Sequence, residues 1–145
     1  MYGLGYSMGG TALARMASED LVFDKIVLDS TFARSETAAR ASLLWYFGPL
    51  QTPVWHVGRF WGWVFTGIDI GQHQPERYVG NLASRPLLLI HGQADVMIPP
   101  SESTRLHEAA SQRSQLWLVD DAGHLETMHH PGYKERLRRF FEEDP

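Results

Sequence analysis

The sequence predicts an α/β domain built on a mostly parallel sheet. Three short apolar runs read as buried strands: residues 25–29 (KIVLD), 86–91 (PLLLIH) and 115–119 (QLWLV). Helical patterns separate and follow them. Strands alternating with helices need crossover connections, which make a sheet parallel and cover both of its faces. A chain of 145 residues suffices for one such domain.

Taken in order, residues 3–10 (GLGYSMGG) hold too much glycine for a helix interior or a central strand and read as a tight turn. Small, good helix formers follow at residues 11–17 (TALARMA). After the second apolar run, Pro99 and Pro100 mark a helix entry, and Ser101 is placed to cap a helix running to about residue 110. A last helix begins near Pro131, with Tyr133, Leu137, Phe140 and Phe141 on one face.

Residues 34–84 break this alternation. From residue 41 to residue 75 the only Asp, Glu, Lys or Arg side chains are Arg59 and Asp69. The aromatics Trp45, Tyr46, Phe47, Trp55, Phe60, Trp61, Trp63 and Phe65 crowd the same stretch. The segment reads as a mostly helical cap inserted over the carboxyl edge of the sheet. Each aromatic is as well explained by ordinary burial, since aromatics are usually inside. Together they suggest an apolar wall above a pocket, with Trp45, Phe60, Trp61 and Trp63 as candidate substrate-binding residues.

Composition removes several classes of function. A formal net charge of -4 without a basic run argues against nucleic acid as a partner, because such binding relies on Lys and Arg neutralising phosphates. With no cysteine there is no disulfide scaffold, thiolate metal site or cysteine nucleophile. No uncharged stretch reaches the ~20 apolar residues of a membrane-spanning helix, so no transmembrane segment is expected, and a cytoplasmic location is. His124, Glu126, His129 and His130 lack the spacing of a helical metal motif, and no phosphate-binding or dinucleotide loop is present, so neither a metal nor a cofactor is expected.

Residues 5–9 (GYSMG) fit G-x-S-x-G, a pattern that sets a serine on a sharp strand-to-helix turn. Such a turn brings backbone close on either side of the serine, which Gly5 and Gly9 allow, while Gly10 lets the helix start near the sheet. The helix then presents the Met8 backbone N–H, and a partial positive charge, where an oxyanion would form. Asp95 follows the second apolar run and His124 the third, so three loops with a hydroxyl, a carboxylate and an imidazole leave the same sheet edge. Asp29 also ends a strand, but Asp-Ser-Thr there suits a local Asx-type turn. Asp120 and Asp121 lie too near His124 in sequence to approach it from a separate loop. His91 reads as a structural side chain bonding a neighbouring loop.

In these segments, GYSMGG, HGQADVMIPP and DDAGH, the chain resembles the α/β-hydrolase superfamily, and LDSTF with the aromatic insert is most similar to its serine aminopeptidase and monoacylglycerol-lipase-like branch. The resemblance implies Ser7 as nucleophile, His124 as general base and Asp95 as the group orienting the imidazole, with the Met8 N–H as an oxyanion donor. It implies hydrolysis of carboxylic esters or related acyl compounds, with a small acyl ester or a peptide as substrate. Peptidase or amidase chemistry on the same residues, and a catalytically incomplete module used for binding or assembly, remain open alternatives.

The resemblance also implies that the amino-terminal strands of the fold are missing, since family members place most of a sheet before the serine. From that follow three expectations. The strand feeding Ser7 is barely formed, the second oxyanion donor is lacking, and the open sheet edge invites self-association or a partner chain.

Overall fold

Four short strands lie side by side, all parallel, in the order in which they occur: β1 (Tyr2–Tyr6), β2 (Lys25–Asp29), β3 (Leu87–Gly92) and β4 (Ser114–Val119). This computed structural model describes residues 1–82, 85–110 and 113–142. The register sets Tyr6 beside Asp29, Asp29 beside Ile90, and Ile90 beside Trp117. The last residues of all four strands therefore share one edge.

Every position of β2 and β3 is buried, as continuous apolar runs require when both faces are covered. Their side chains alternate between two cores, following the two-residue period of a strand. Ile26, Leu28, Leu87 and Leu89 face Leu13, Ala14 and Ala17 of α1 (Ser7–Glu19), Val79 of α4 (Pro75–Gly80) and Leu106 of α5 (Ser101–Ala109). Val27, Leu88 and Ile90 face Tyr133 and Phe140 of α6 (Tyr133–Glu142), with Leu137 and Phe141 partly buried beside them, as the helical spacing predicts. Lys25 fastens the end of that helix by donating from Nζ to the carbonyls of Phe140 (3.0 Å) and Phe141 (3.1 Å).

Two sequence expectations need correction. The strand before Ser7 is fully formed and pairs with β2 over its whole length, because β2 supplies the backbone partners that its own composition does not favour. Its glycines serve close approach: a Cβ at Gly3 would lie 2.9 Å from the Leu13 side chain, and one at Gly5 would lie 2.7 Å from the Gly10 Cα. Ser101 is not a cap. Pro100 is the N-cap of α5 and no side chain bonds there, since the Pro99 and Pro100 carbonyls already accept from the N–H groups of Glu102 and Ser103.

The insert is helical, as expected: α2 (Ser35–Phe47), α3 (Gln51–Thr66), two 3-10 turns at Gly48–Leu50 and Ile70–Gln72, and α4, which returns to the layer covering the sheet. Residues 83 and 84, expected as its end, lie outside the described residues. Helix α3 is turned against the usual pattern. Arg59 makes a two-pronged pair with Asp69 at 2.6 Å per bond, and that guanidinium holds the Asp69 carboxyl down at about 2. Trp55 is buried, whereas Phe60, Trp61, Trp63 and Phe65 are exposed.

The glycines of the serine turn divide sharply. A Cβ at Gly10 would overlap Thr31 Oγ1 and crowd the Gly5 carbonyl, while one at Gly9 would meet nothing within 4 Å. The close approach expected at Gly9 thus belongs to Gly5 and Gly10. Gly10→Ala is expected to cost about 1–3 kcal/mol by overpacking. Gly9→Ala, by contrast, should gain about 0.5–1 kcal/mol from better helix propensity. Urea denaturation of the two variants checks this.

Candidate active site

Ser7 sits where β1 turns into α1 with φ of 47°, a left-handed conformation that a residue with a side chain rarely adopts. The contact of Gly5 with Gly10 makes this sharp turn sterically possible. The turn aims the first N–H groups of α1, Met8 among them, at the carboxyl edge, and helical bonding leaves those groups unpaired. Nearby, Thr11 Oγ1 donates to the Met8 carbonyl at 2.8 Å and steadies the first turn.

Asp95 and His124 come together from the loops after β3 and β4. His124 Nδ1 lies 2.7 Å from Asp95 Oδ2. The other carboxylate oxygen accepts the backbone N–H groups of Met97 (2.9 Å) and Ile98 (2.8 Å). His91 Nε2 lies 3.2 Å from Asp95 Oδ2 and 2.9 Å from the Ile98 carbonyl. Facing two acceptors, Nε2 of His91 carries its proton, and Nδ1 is left to accept from the Ser103 hydroxyl at 2.6 Å. His91 is therefore structural as expected, yet it also braces the carboxylate. Burial pushes the Asp95 pKa up, but the bonds from His124, His91 and Ile98 outweigh it and hold the carboxyl well below the usual range.

Gly92, which the sequence reasoning passed over, lets these two loops meet. A Cβ there would overlap the Ala122 carbonyl and lie 2.8 Å from the Gly123 oxygen. The Ala94 N–H donates to that Ala122 carbonyl at 2.9 Å, so the loops are stitched by backbone. The Glu126 carboxylate accepts from the Gly123 N–H at 2.8 Å and closes the turn bearing His124. His130 packs edge-on against Trp117.

Asp29 corrects another expectation. Its carboxylate bonds Ser30 locally but also reaches across the sheet edge. Oδ2 accepts from Thr127 Oγ1 at 2.7 Å and from Tyr133 OH at 2.8 Å, and Oδ1 accepts from Ser30 Oγ at 3.0 Å. Only one of these partners is a sequence neighbour, which is why local reading missed the others. Burial drives this carboxyl above its ordinary pKa against those bonds.

Ser7 and His124 leave opposite edge strands of the described sheet, β1 and β4. Among the described residues no hydrogen bond joins them. The candidate aromatics divide as well. Trp45, with Ala41, Leu44 and Val96, lines an apolar hollow of about 500 Å³ beside the Asp95 loop. Ser42 of the same helix donates to the Met97 carbonyl at 3.1 Å, tying α2 to that loop. Phe60 and Trp63 line a second hollow of about 310 Å³ with His56, Arg59 and Asp69. Trp61 lines neither and stacks on Phe65, ring centroids 5.7 Å apart.

No protein-family model matches the chain. Over 68 residues it is 35% identical to the uncharacterized protein YfhR of Escherichia coli (strain K12), a match covering 45% of this chain and 24% of that protein. Among solved structures, the Pyrococcus furiosus esterase Pf2001 is 26% identical with a TM-score of 0.70, and the alignment covers 97% of this chain and 52% of that one. An esterase domain from a Rhodothermus marinus protein gives 18% identity and a TM-score of 0.66, over 97% of this chain and 59% of that one. A meta-cleavage product hydrolase from Pseudomonas fluorescens IP01 gives 18% and 0.65, over 95% and 63%. The fold is thus part of an α/β-hydrolase fold, and the chain spans about half to two thirds of the length of these three solved structures. Among the described residues, no helix is long and apolar enough to cross a membrane.

Proposed function

We propose that this chain carries the catalytic groups of a serine hydrolase that cleaves carboxylic esters or related acyl compounds. The observation that carries the reading is the 2.7 Å bond between Asp95 Oδ2 and His124 Nδ1 at the edge where Ser7 stands in a left-handed turn. With Nδ1 donating to the carboxylate, Nε2 of His124 is the basic nitrogen.

Ser7 Oγ attacks the acyl carbon while His124 Nε2 takes its proton. The carbonyl oxygen becomes an oxyanion that accepts from the Met8 N–H. As the carbon–oxygen bond to the leaving group breaks, His124 returns the proton to the departing alcohol. A water then loses a proton to His124 and attacks the acyl-enzyme, and as the acyl–oxygen bond breaks His124 passes that proton to Ser7 Oγ, freeing the acid and restoring both groups. Asp95 stays ionised throughout and stabilises the imidazolium. The apolar hollow of Ala41, Leu44, Trp45 and Val96 suits an aliphatic or aryl acyl group. Trp45 is the substrate-binding aromatic favoured by position, while Phe60, Trp61 and Trp63 would serve only a substrate extending over α3.

Within the fold, LDSTF and the aromatic cap favour the serine aminopeptidase and monoacylglycerol-lipase-like branch, and amide bonds fall to the same mechanism. β1 is an edge of the described sheet and is a place for a further strand, from another copy or another chain.

A fluorophosphonate probe tests the reading on the intact protein. Covalent label is expected on Ser7, none in Ser7→Ala, and p-nitrophenyl acetate turnover should disappear with it. Intact folded protein that takes no label at Ser7 overturns the proposal.

A further inference from the structure

The described sheet poses a geometrical problem for the proposed chemistry. Ser7 follows β1 and His124 follows β4, three strand spacings away, or about 14 Å. For the imidazole to serve the hydroxyl, the loop after β4 must lean back over β3 and β2. Asp95 draws His124 as far as the end of β3. Something must hold the rest of the loop further over.

We infer that Asp29 is a positioning residue that moors the His124 loop to the serine side of the sheet, an inference that rests on the hydrolase reading. Asp29 ends β2, the strand next to the serine's own, and its register partner there is Tyr6, the residue before Ser7. Its carboxylate accepts from Thr127 Oγ1, three residues beyond His124, in the 3-10 turn Thr127–His129. The same oxygen accepts from Tyr133 OH, which lies 3.0 Å from Tyr6 OH. One buried carboxylate thereby joins the base-bearing loop, the head of α6 and the strand that delivers the nucleophile.

The expense of the arrangement supports a role beyond packing. Asp29, Ser30 and Thr127 are all fully buried. A carboxylate withdrawn from water is costly even when hydrogen-bonded, and apolar side chains of similar volume commonly fill such a site at no loss of stability. What apolar groups cannot supply is a directional hydrogen bond to the Thr127 hydroxyl of the His124 loop. Ser30 adds a second cost, since it sits at φ of 50° while its hydroxyl donates to the same carboxylate.

The test compares wild-type protein with Asp29→Ala, Asp29→Asn and Thr127→Val by p-nitrophenyl acetate kinetics, Ser7 labelling rate and Tm. In Asp29→Ala, kcat and the labelling rate should fall on the order of 10²-fold, the cost of an ångström's misplacement, with KM unchanged. Asp29→Asn keeps an acceptor for both hydroxyls and should restore most of the rate. Thr127→Val keeps the side-chain volume, loses the mooring bond, and should lose rate in the same KM-sparing way; it decides the matter if Asp29→Ala does not fold. A lowered Tm with kcat intact in folded Thr127→Val, or a loss that Asp29→Asn does not repair, overturns the inference. If wild-type protein takes no label, the hydrolase reading itself has failed; if wild type and Thr127→Val label equally fast, only the mooring has.

Discussion

Alanine at Ser7 or at His124 is expected to lower kcat by about 10⁶-fold, and alanine at both by little more. The reason is that in the proposed mechanism the two groups perform one act. Oγ is a poor nucleophile until a base removes its proton, and the imidazole has nothing to activate once the hydroxyl is gone. Residual turnover would come from the Met8 N–H and from binding, which neither substitution touches. Kinetics on p-nitrophenyl acetate for the two single variants and the double variant measure the coupling directly. Losses that multiply in the double variant would mean that Ser7 and His124 act on separate steps, and the proposed mechanism would fall.

The parallel sheet was legible because burial on both faces demands continuous apolar runs, and 25–29 and 86–91 are such runs in a chain otherwise rich in polar breaks. The Asp95–His124 contact was legible for a related reason. Parallel strands end at a common edge, so a carboxylate after one and an imidazole after the next are near neighbours whatever their separation in sequence. Asp29 was not legible: Thr127 and Tyr133, which it binds, lie 98 and 104 residues away, and nothing local announces them. Gly92 carried a weak signal, a glycine at the end of a strand, whose meaning appears only when the Ala122 carbonyl is seen against it. Helix α3 misleads sequence reading in a different way. Its Arg59 pairs with Asp69 at the head of the following 3-10 turn, so the polar pair is half-buried while every aromatic of the helix except Trp55 is left outside.

Asp95→Asn is expected to lower kcat by about 10⁴-fold while leaving the protein folded, since under the proposed serine–histidine–aspartate mechanism the wrong imidazole tautomer alone costs that much. The amide has no orientation that suits its surroundings. With its oxygen toward the Met97 and Ile98 N–H groups, its NH₂ faces His124 Nδ1 and the Nε2–H of His91. His124 then accepts at Nδ1, carries its proton on Nε2, and presents a donor to Ser7 where a base is needed. Turned over, the NH₂ meets two backbone donors instead. The charge-assisted bonds lost should cost about 1.5–3 kcal/mol of stability near neutral pH. Because the Asp95 carboxyl is held below its ordinary pKa in the folded protein, its contribution is present above the unfolded-state value and vanishes as pH falls through the folded one. The stability gap between wild type and Asp95→Asn should therefore narrow on acidification. Urea titrations at neutral and acid pH measure that gap, and kcat of the same two proteins measures the tautomer effect. An Asn variant that turns over at the wild-type rate would remove Asp95 from the mechanism.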